Sequence, residues 1–216
     1  MPTSRSRLTP AGMLAGVVFA AGLFSPFTIP GGGNVTEQQF TDFYSSGSQR
    51  ATALLLFFVL VAGSWLMAWF YTELRHTLAP GAMADYAERT AWIGATATII
   101  GGAVVLGPVG VQMNSGKSFV GIPVAHTFAQ AGLFILLVGG IYSFALATFL
   151  MWLHASRTAS APRWQTVVGR VVAVLLLASI AAAPAILLPI WTFVVGLTSR
   201  RAQTRSQGAT ALAVSP

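Results

Sequence analysis

Hydrophobic positions in this chain run in long blocks separated by short polar stretches. The first block covers Leu8 to Ile29, behind Arg5 and Arg7, and the second covers Ala51 to Tyr71, closing on Trp65, Trp69, Phe70 and Tyr71. A third runs from Ala91 to about Gly110 with Pro108 near its end, a fourth from Phe128 to Leu153, and the last from Val167 to Leu197. A helix crosses the hydrocarbon core of a bilayer with about 20 apolar residues, and it satisfies its backbone hydrogen bonds within that segment. Strands of a membrane barrel would alternate apolar and polar residues, and these blocks do not. The pattern predicts an all-α fold, a polytopic transmembrane helix bundle forming a single domain over residues 1–199. The first block ends on Leu23-Phe24-Ser25-Pro26-Phe27 without a small-x-small cleavage site, so a retained anchor is expected instead of a cleaved signal.

Length does not decide whether the last block, residues 167–197, is one helix or two. A single helix is long for a bilayer even when tilted. Two would turn at Ala182-Ala183-Pro184-Ala185, and each would sit near the lower spanning limit of about 17 residues. Charge separates the two arrangements. With six crossings and the N-terminus in the cytoplasm, Arg5, Arg7, Arg75, Arg89, Arg157, Arg163, Arg170, Arg200, Arg201 and Arg205 lie inside and only Arg50 and Lys117 outside, ten against two. Five crossings would move the three tail arginines outside and leave seven against five. Cytoplasmic loops hold the excess of Lys and Arg. Six helices are therefore expected, five being the alternative, at about 8–29, 51–73, 89–110, 126–153, 165–182 and 184–199, in three hairpins. Both termini would face the cytoplasm of a cell-membrane protein, with 200–216 a disordered basic tail. Trp69, Trp92, Trp152 and Trp164 flank the two inner loops and would form a cytoplasmic belt at the interface.

One polar stretch has a helical signature of its own. Thr36 with Gln39 fits a capping box and Val35 with Phe40 the staple around it. Glu37 suits the helix dipole, and Phe40, Phe43 and Tyr44 share one face. A short amphipathic helix over 36–45 is predicted in the outer loop, either as an anchor on the membrane surface or as a lid over the bundle mouth, hinged at Pro30-Gly31-Gly32-Gly33. Asn34-Val35-Thr36 matches a glycosylation sequon, a weak pattern.

Composition sharpens the picture. Only 8% of residues are charged and 55% are hydrophobic, against roughly 25% charged in soluble domains. The net charge of +7 does not point to nucleic acid, because the arginines punctuate apolar blocks instead of lining one face. With no cysteine there are no disulfides and no thiolate metal sites. Intramembrane ionisable residues mark ion or substrate pathways, and none stands at a predicted helix centre. Glu73 and His76 are spaced to pair locally, while Asp85 and Glu88 read as the cap and dipole partners of the third helix. His76 and His154 fall on one side and His126 on the other, so no metal site joins them. His126 and Gln130, with Tyr142 and Ser143, are the candidates for a polar outer vestibule. Gly12 and Gly16 form a small-x-x-x-small pair, and Gly94, Gly101, Gly102, Gly139 and Gly140 offer further close-contact faces.

Pro162-Arg163-Trp164 opens the last block, Trp191 lies inside it and Arg200-Arg201 closes it, with Pro30-Gly31 after the first helix and Phe43-Tyr44 before the second. In this layout the chain resembles a group of multi-pass, about six-helix membrane proteins of high-GC actinobacteria, a domain of unknown function, although Gln165-Thr166 departs from the apolar continuation usual there. The resemblance implies the fold and no activity. The chain is expected to be a non-enzymatic membrane protein without cofactors, acting through helix packing with lipids, other membrane proteins or copies of itself. The alternative is a small carrier or permeability protein for a neutral or apolar solute.

Overall fold

The computed structural model describes residues 4–24, 28–30, 36–115, 121–178 and 186–198. Those residues are helical with short connections and contain no strand. The elements are α1 (Ser4–Leu23), α2 (Glu37–Ser45), α3 (Gly47–Thr77), α4 (Ala82–Ser115), α5 (Ile122–Phe134), α6 (Tyr142–Arg157), α7 (Arg163–Ala178) and α8 (Leu187–Thr198). A π-helical segment, Ile135–Ile141, joins α5 to α6 without a break, so the two form one rod of 36 residues. Three helices are long and apolar enough to cross a membrane: Gly47–Thr77, Ala82–Asn114 and Ile122–Arg157. The apolar stretches of α1 and α8, Pro10–Leu23 and Leu187–Thr198, are shorter.

Within the described residues a helix stands in each predicted segment, although α1 ends at Leu23 instead of running on to 29, and the three long ones extend past their apolar windows at both ends. Hydropathy marks only what must avoid water, whereas hydrogen bonding carries a helix on until a breaker stops it, here Pro80-Gly81 between α3 and α4. The ambiguous last block folds back on itself. Gln165 Nε2 near the start of α7 donates to Thr198 Oγ1 at the end of α8 over 3.0 Å, whereas one straight helix would hold these residues roughly 50 Å apart. The expected turn at Ala182–Ala185, the sequon, the Gly31–Gly33 hinge, the Val35 staple, Lys117 and the 200–216 tail lie outside the described residues.

Neighbouring rods run antiparallel, and glycines set their spacing. Between α1 and α3, Gly22 meets Leu60 and Gly63 meets Phe19. Between α1 and α8, a Cβ added to Gly12 would lie 2.8 Å from Thr192 O, and one added to Gly16 would lie 2.5 Å from Pro189 O. Between α4 and the long rod, a Cβ on Gly101 would stand 2.6 Å from both Gly132 O and Leu136 N, and Gly140 lies against Thr98. Gly169 of α7 receives the Trp152 ring of α6. With Trp191 of α8 stacked edge-on to Trp152 and Trp164, the rods close a circuit that returns to α1.

The centre of this circuit is aromatic. Phe19 and Phe144 meet edge to face at 5.5 Å, Tyr71 stacks on Phe144 at 6.1 Å, and the Tyr71 hydroxyl bonds to Thr148 Oγ1. Large apolar side chains also cover the outside, among them Leu55, Phe58, Ile93, Phe134 and Val171. A protein in water would hide such a shell; in lipid it faces a solvent of its own polarity. The expected tryptophan belt is corrected at one position. Trp69, Trp92 and Trp164 are exposed, but Trp152 is 2% exposed, because the missing side chain at Gly169 makes room for its ring inside the bundle.

Gly101→Ala is expected to destabilise the fold by about 1–3 kcal/mol through overpacking against backbone. Gly110→Ala, whose added Cβ meets nothing within 4 Å, should be neutral or stabilise by up to about 1 kcal/mol through helix propensity. Thermal melts of both variants in the same detergent check this, and equal melting temperatures would contradict it.

Candidate functional site: the two polar ends of the bundle

Antiparallel packing sorts the polar residues into two groups. The end where α3 starts and α4 stops carries α2. Thr36 caps this helix reciprocally with Gln39: Gln39 N donates to Thr36 Oγ1 over 3.2 Å, and Thr36 N donates to Gln39 Oε1 over 3.1 Å. The helix then presents Phe40, Phe43 and Tyr44 on one face, and all three are buried. Phe40 and Phe43 contact Tyr44 at ring distances of 4.4 and 5.1 Å. Ile29, Ala53, Val105, Val109 and Ala125 complete the cluster, so the face sits on the ends of α3, α4 and α5. Rings buried against protein cannot at the same time be sunk in the bilayer. Burial pushes the Tyr44 phenol from 10.0 up to about 12, because the phenolate would lose its hydration there.

The vestibule candidates do not converge. His126 is half-buried and Gln130 exposed, and Gln130 Nε2 lies 2.6 Å from His126 Nε2, so the two side chains satisfy each other one turn apart. Tyr142 and Ser143 follow roughly 18 Å further along the same rod. Ser143 Oγ donates to Gly139 O over 2.6 Å, and its Cβ packs beside Gly94.

The opposite end holds the ion pairs, on partners that local spacing did not indicate. Arg75, expected only as a loop charge, is the hub. Its Nη2 lies 2.6 Å from Asp85 Oδ1, its Nε donates to the same oxygen over 2.7 Å, and Glu88 Oε2 stands 3.8 Å away. Thr72 Oγ1 donates to Glu88 Oε1 over 2.8 Å. Glu73, expected to pair with His76, instead accepts from Trp69 Nε1 over 3.1 Å. Asp85 lies inside the first turn of α4, where it suits the dipole but is not the cap. The signal was present in the sequence: Thr72 with Glu88 and Arg75 with Asp85 are placed symmetrically about Pro80, as a tight antiparallel hairpin requires. His154, 7% exposed, donates from Nε2 to Ala79 O over 2.7 Å, and Gly81 leaves the space its ring fills. The α3–α4 turn is thereby tied to α6. Nothing local in the sequence announces that bond, because its partner is a backbone carbonyl in a distant turn. Among the described residues no three His, Cys, Asp or Glu side chains gather to hold a metal ion.

Two measurements check these assignments. The Tyr44 pKa is higher folded than unfolded, so its contribution is fully present below about pH 10 and is lost as pH rises toward 12. Tyr44→Phe should therefore lose less melting temperature than the parent between pH 9 and about 12; parallel curves would refute the linkage. His154→Ala should accelerate amide hydrogen exchange in Leu78–Gly81 about tenfold, as loss of one buried hydrogen bond implies, and unchanged exchange would show that the turn stands without it. Set against protein-family models, curated proteins and solved structures, the chain matches none.

Proposed function

We propose that the chain is a six-span protein of the cell membrane, with both termini in the cytoplasm, which works without catalysis or cofactor by packing its helices against lipids and membrane partners, including copies of itself. The observation that carries this reading is how the buried hydroxyls are spent. Ser64, Thr98, Thr148 and Thr192 are each 0% exposed, and each donates to a carbonyl of its own helix, on Leu60, Gly94, Phe144 and Pro189, over 2.7 to 2.9 Å. Those donors are thereby withheld from any solute. Glycine contacts press the rods together around them, while large apolar side chains such as Leu55, Phe58, Ile93 and Phe134 stand exposed on the outward surface. Charge supports the orientation: Arg75, Arg89, Arg157 and Arg163 stand at or near the turns of one end, and Arg50 at the other. The resemblance to actinobacterial multi-pass proteins belongs to the same proposal.

A second reading, a carrier for a neutral or apolar solute, is favoured by one feature. The π-helical turn Ile135–Ile141 contains Gly139 and Gly140 midway along a spanning rod, and such turns mark points where a helix can change register.

The absence of cysteine provides a clean background for labelling. Ser48→Cys should react with a membrane-impermeant maleimide in intact cells, and Thr158→Cys only after permeabilisation; the reverse pattern would overturn the orientation. Liposomes holding the purified chain should release glycerol no faster than protein-free liposomes. Release that scales with protein would replace the packing reading with the carrier.

A further inference from the structure

We infer that the lipid-facing side of α7 holds the phosphate of an anionic phospholipid between Arg163 and Arg170, an inference that rests on the membrane embedding proposed above. Arg163, Val167, Arg170 and Val174 follow at i, i+4, i+7 and i+11, which places them in one stripe along the helix. The stripe faces outward: Val167 and Val174 are each 51% exposed and Trp164 beside them 45%. Along the axis the two guanidinium-bearing residues stand about 10 Å apart, a gap that side chains of this length close from both sides.

Arg170 is the telling member. It lies seven residues inside an apolar helix, with Val167, Val171 and Val174 around it. Its Nε donates to Thr166 O over 3.0 Å. Among the described residues both ion pairs belong to Arg75, so neither Arg163 nor Arg170 has a carboxylate. A charge at that depth is retained where it meets an anion, and the planar fork of a guanidinium matches phosphate through two parallel hydrogen bonds. Free phosphate has no reason to enter a valine-lined surface. A phosphate carrying acyl chains does, because the chains lie along Val167, Val171 and Val174 while the headgroup reaches Trp164 at the interface. The position agrees with the expected leaflet, since this is the arginine-rich end of the bundle.

The test uses the full chain extracted from membranes in a mild detergent. Native mass spectrometry counts bound phosphatidylglycerol against phosphatidylcholine with identical acyl chains. The parent should prefer phosphatidylglycerol, and Arg163→Gln/Arg170→Gln should lower that preference about fivefold per arginine while leaving phosphatidylcholine binding unchanged. Arg75→Gln, whose parent residue is already engaged by Asp85, should keep the preference. If the double variant fails to fold, Arg163→Gln alone at the exposed first residue of α7 decides, with about a fivefold drop expected. An unchanged ratio in either variant, or removal of the bound lipid by millimolar inorganic phosphate, overturns the site. Failure of the membrane reading is distinguishable: the parent chain would then be recovered from the aqueous fraction before any lipid is added.

Discussion

Backbone-to-backbone approach between helices is the constraint from which the rest of the structure follows. In lipid the hydrophobic effect does not drive one helix onto another, so association depends on van der Waals contact and on what polar atoms are left to exchange. Each atom pair at contact distance contributes only about 0.1–0.2 kcal/mol. The count must therefore be large, and it becomes large only where side chains do not hold the backbones apart. Gly12 and Gly16 against α8, Gly22 and Gly63 between α1 and α3, and Gly101 with Gly132 between α4 and α5 meet that condition. The closed circuit of rods exists because each rod has such a face.

The same constraint governs the polar groups. A hydroxyl in a tight, dry contact must find an acceptor nearby, and its own helix offers one a turn back. That choice lets Thr98 sit against Gly140 and Thr148 beside Tyr71 without opening a polar path through the bundle. Carboxylates have no donor to place on a carbonyl, and they collect at the ends with most of the arginines, Arg170 inside α7 being the exception. At one end Arg75, Asp85 and Glu88 fasten a four-residue turn; at the other a nine-residue helix covers the cluster with three aromatic rings.

How much was legible follows from which interactions are local. Apolar runs, the Thr36–Gln39 capping box and the shared face of Phe40, Phe43 and Tyr44 depend on residues a few positions apart, and the structure has each of these features. The fold-back of the last block was legible only through the arginine count, because hydropathy is blind to a turn inside an apolar run. Trp152 was misplaced because an interfacial tryptophan and one buried on a glycine look alike until the neighbouring helix is known. His154, Arg75 and Glu73 took partners that local spacing does not rank. The vestibule grouping of His126, Gln130, Tyr142 and Ser143 joined residues on a common rod but at different depths.

The π-helical turn belongs to the same logic. An α-helix advances about 400° over four residues, so a stripe of contacts at that spacing drifts about 40° per step around the rod. Gly132, Leu136, Gly140 and Phe144 follow at intervals of four, and all face α4 across Gly94, Thr98 and Gly101. A wider turn over Ile135–Ile141 takes back the drift that an unbroken α-helix would accumulate, which keeps Gly140 on Thr98 after Gly132 has met Gly101. The irregular turn is the geometry that lets two long helices stay in glycine-mediated contact past a single crossing point, and the glycines at 139 and 140 leave space for it.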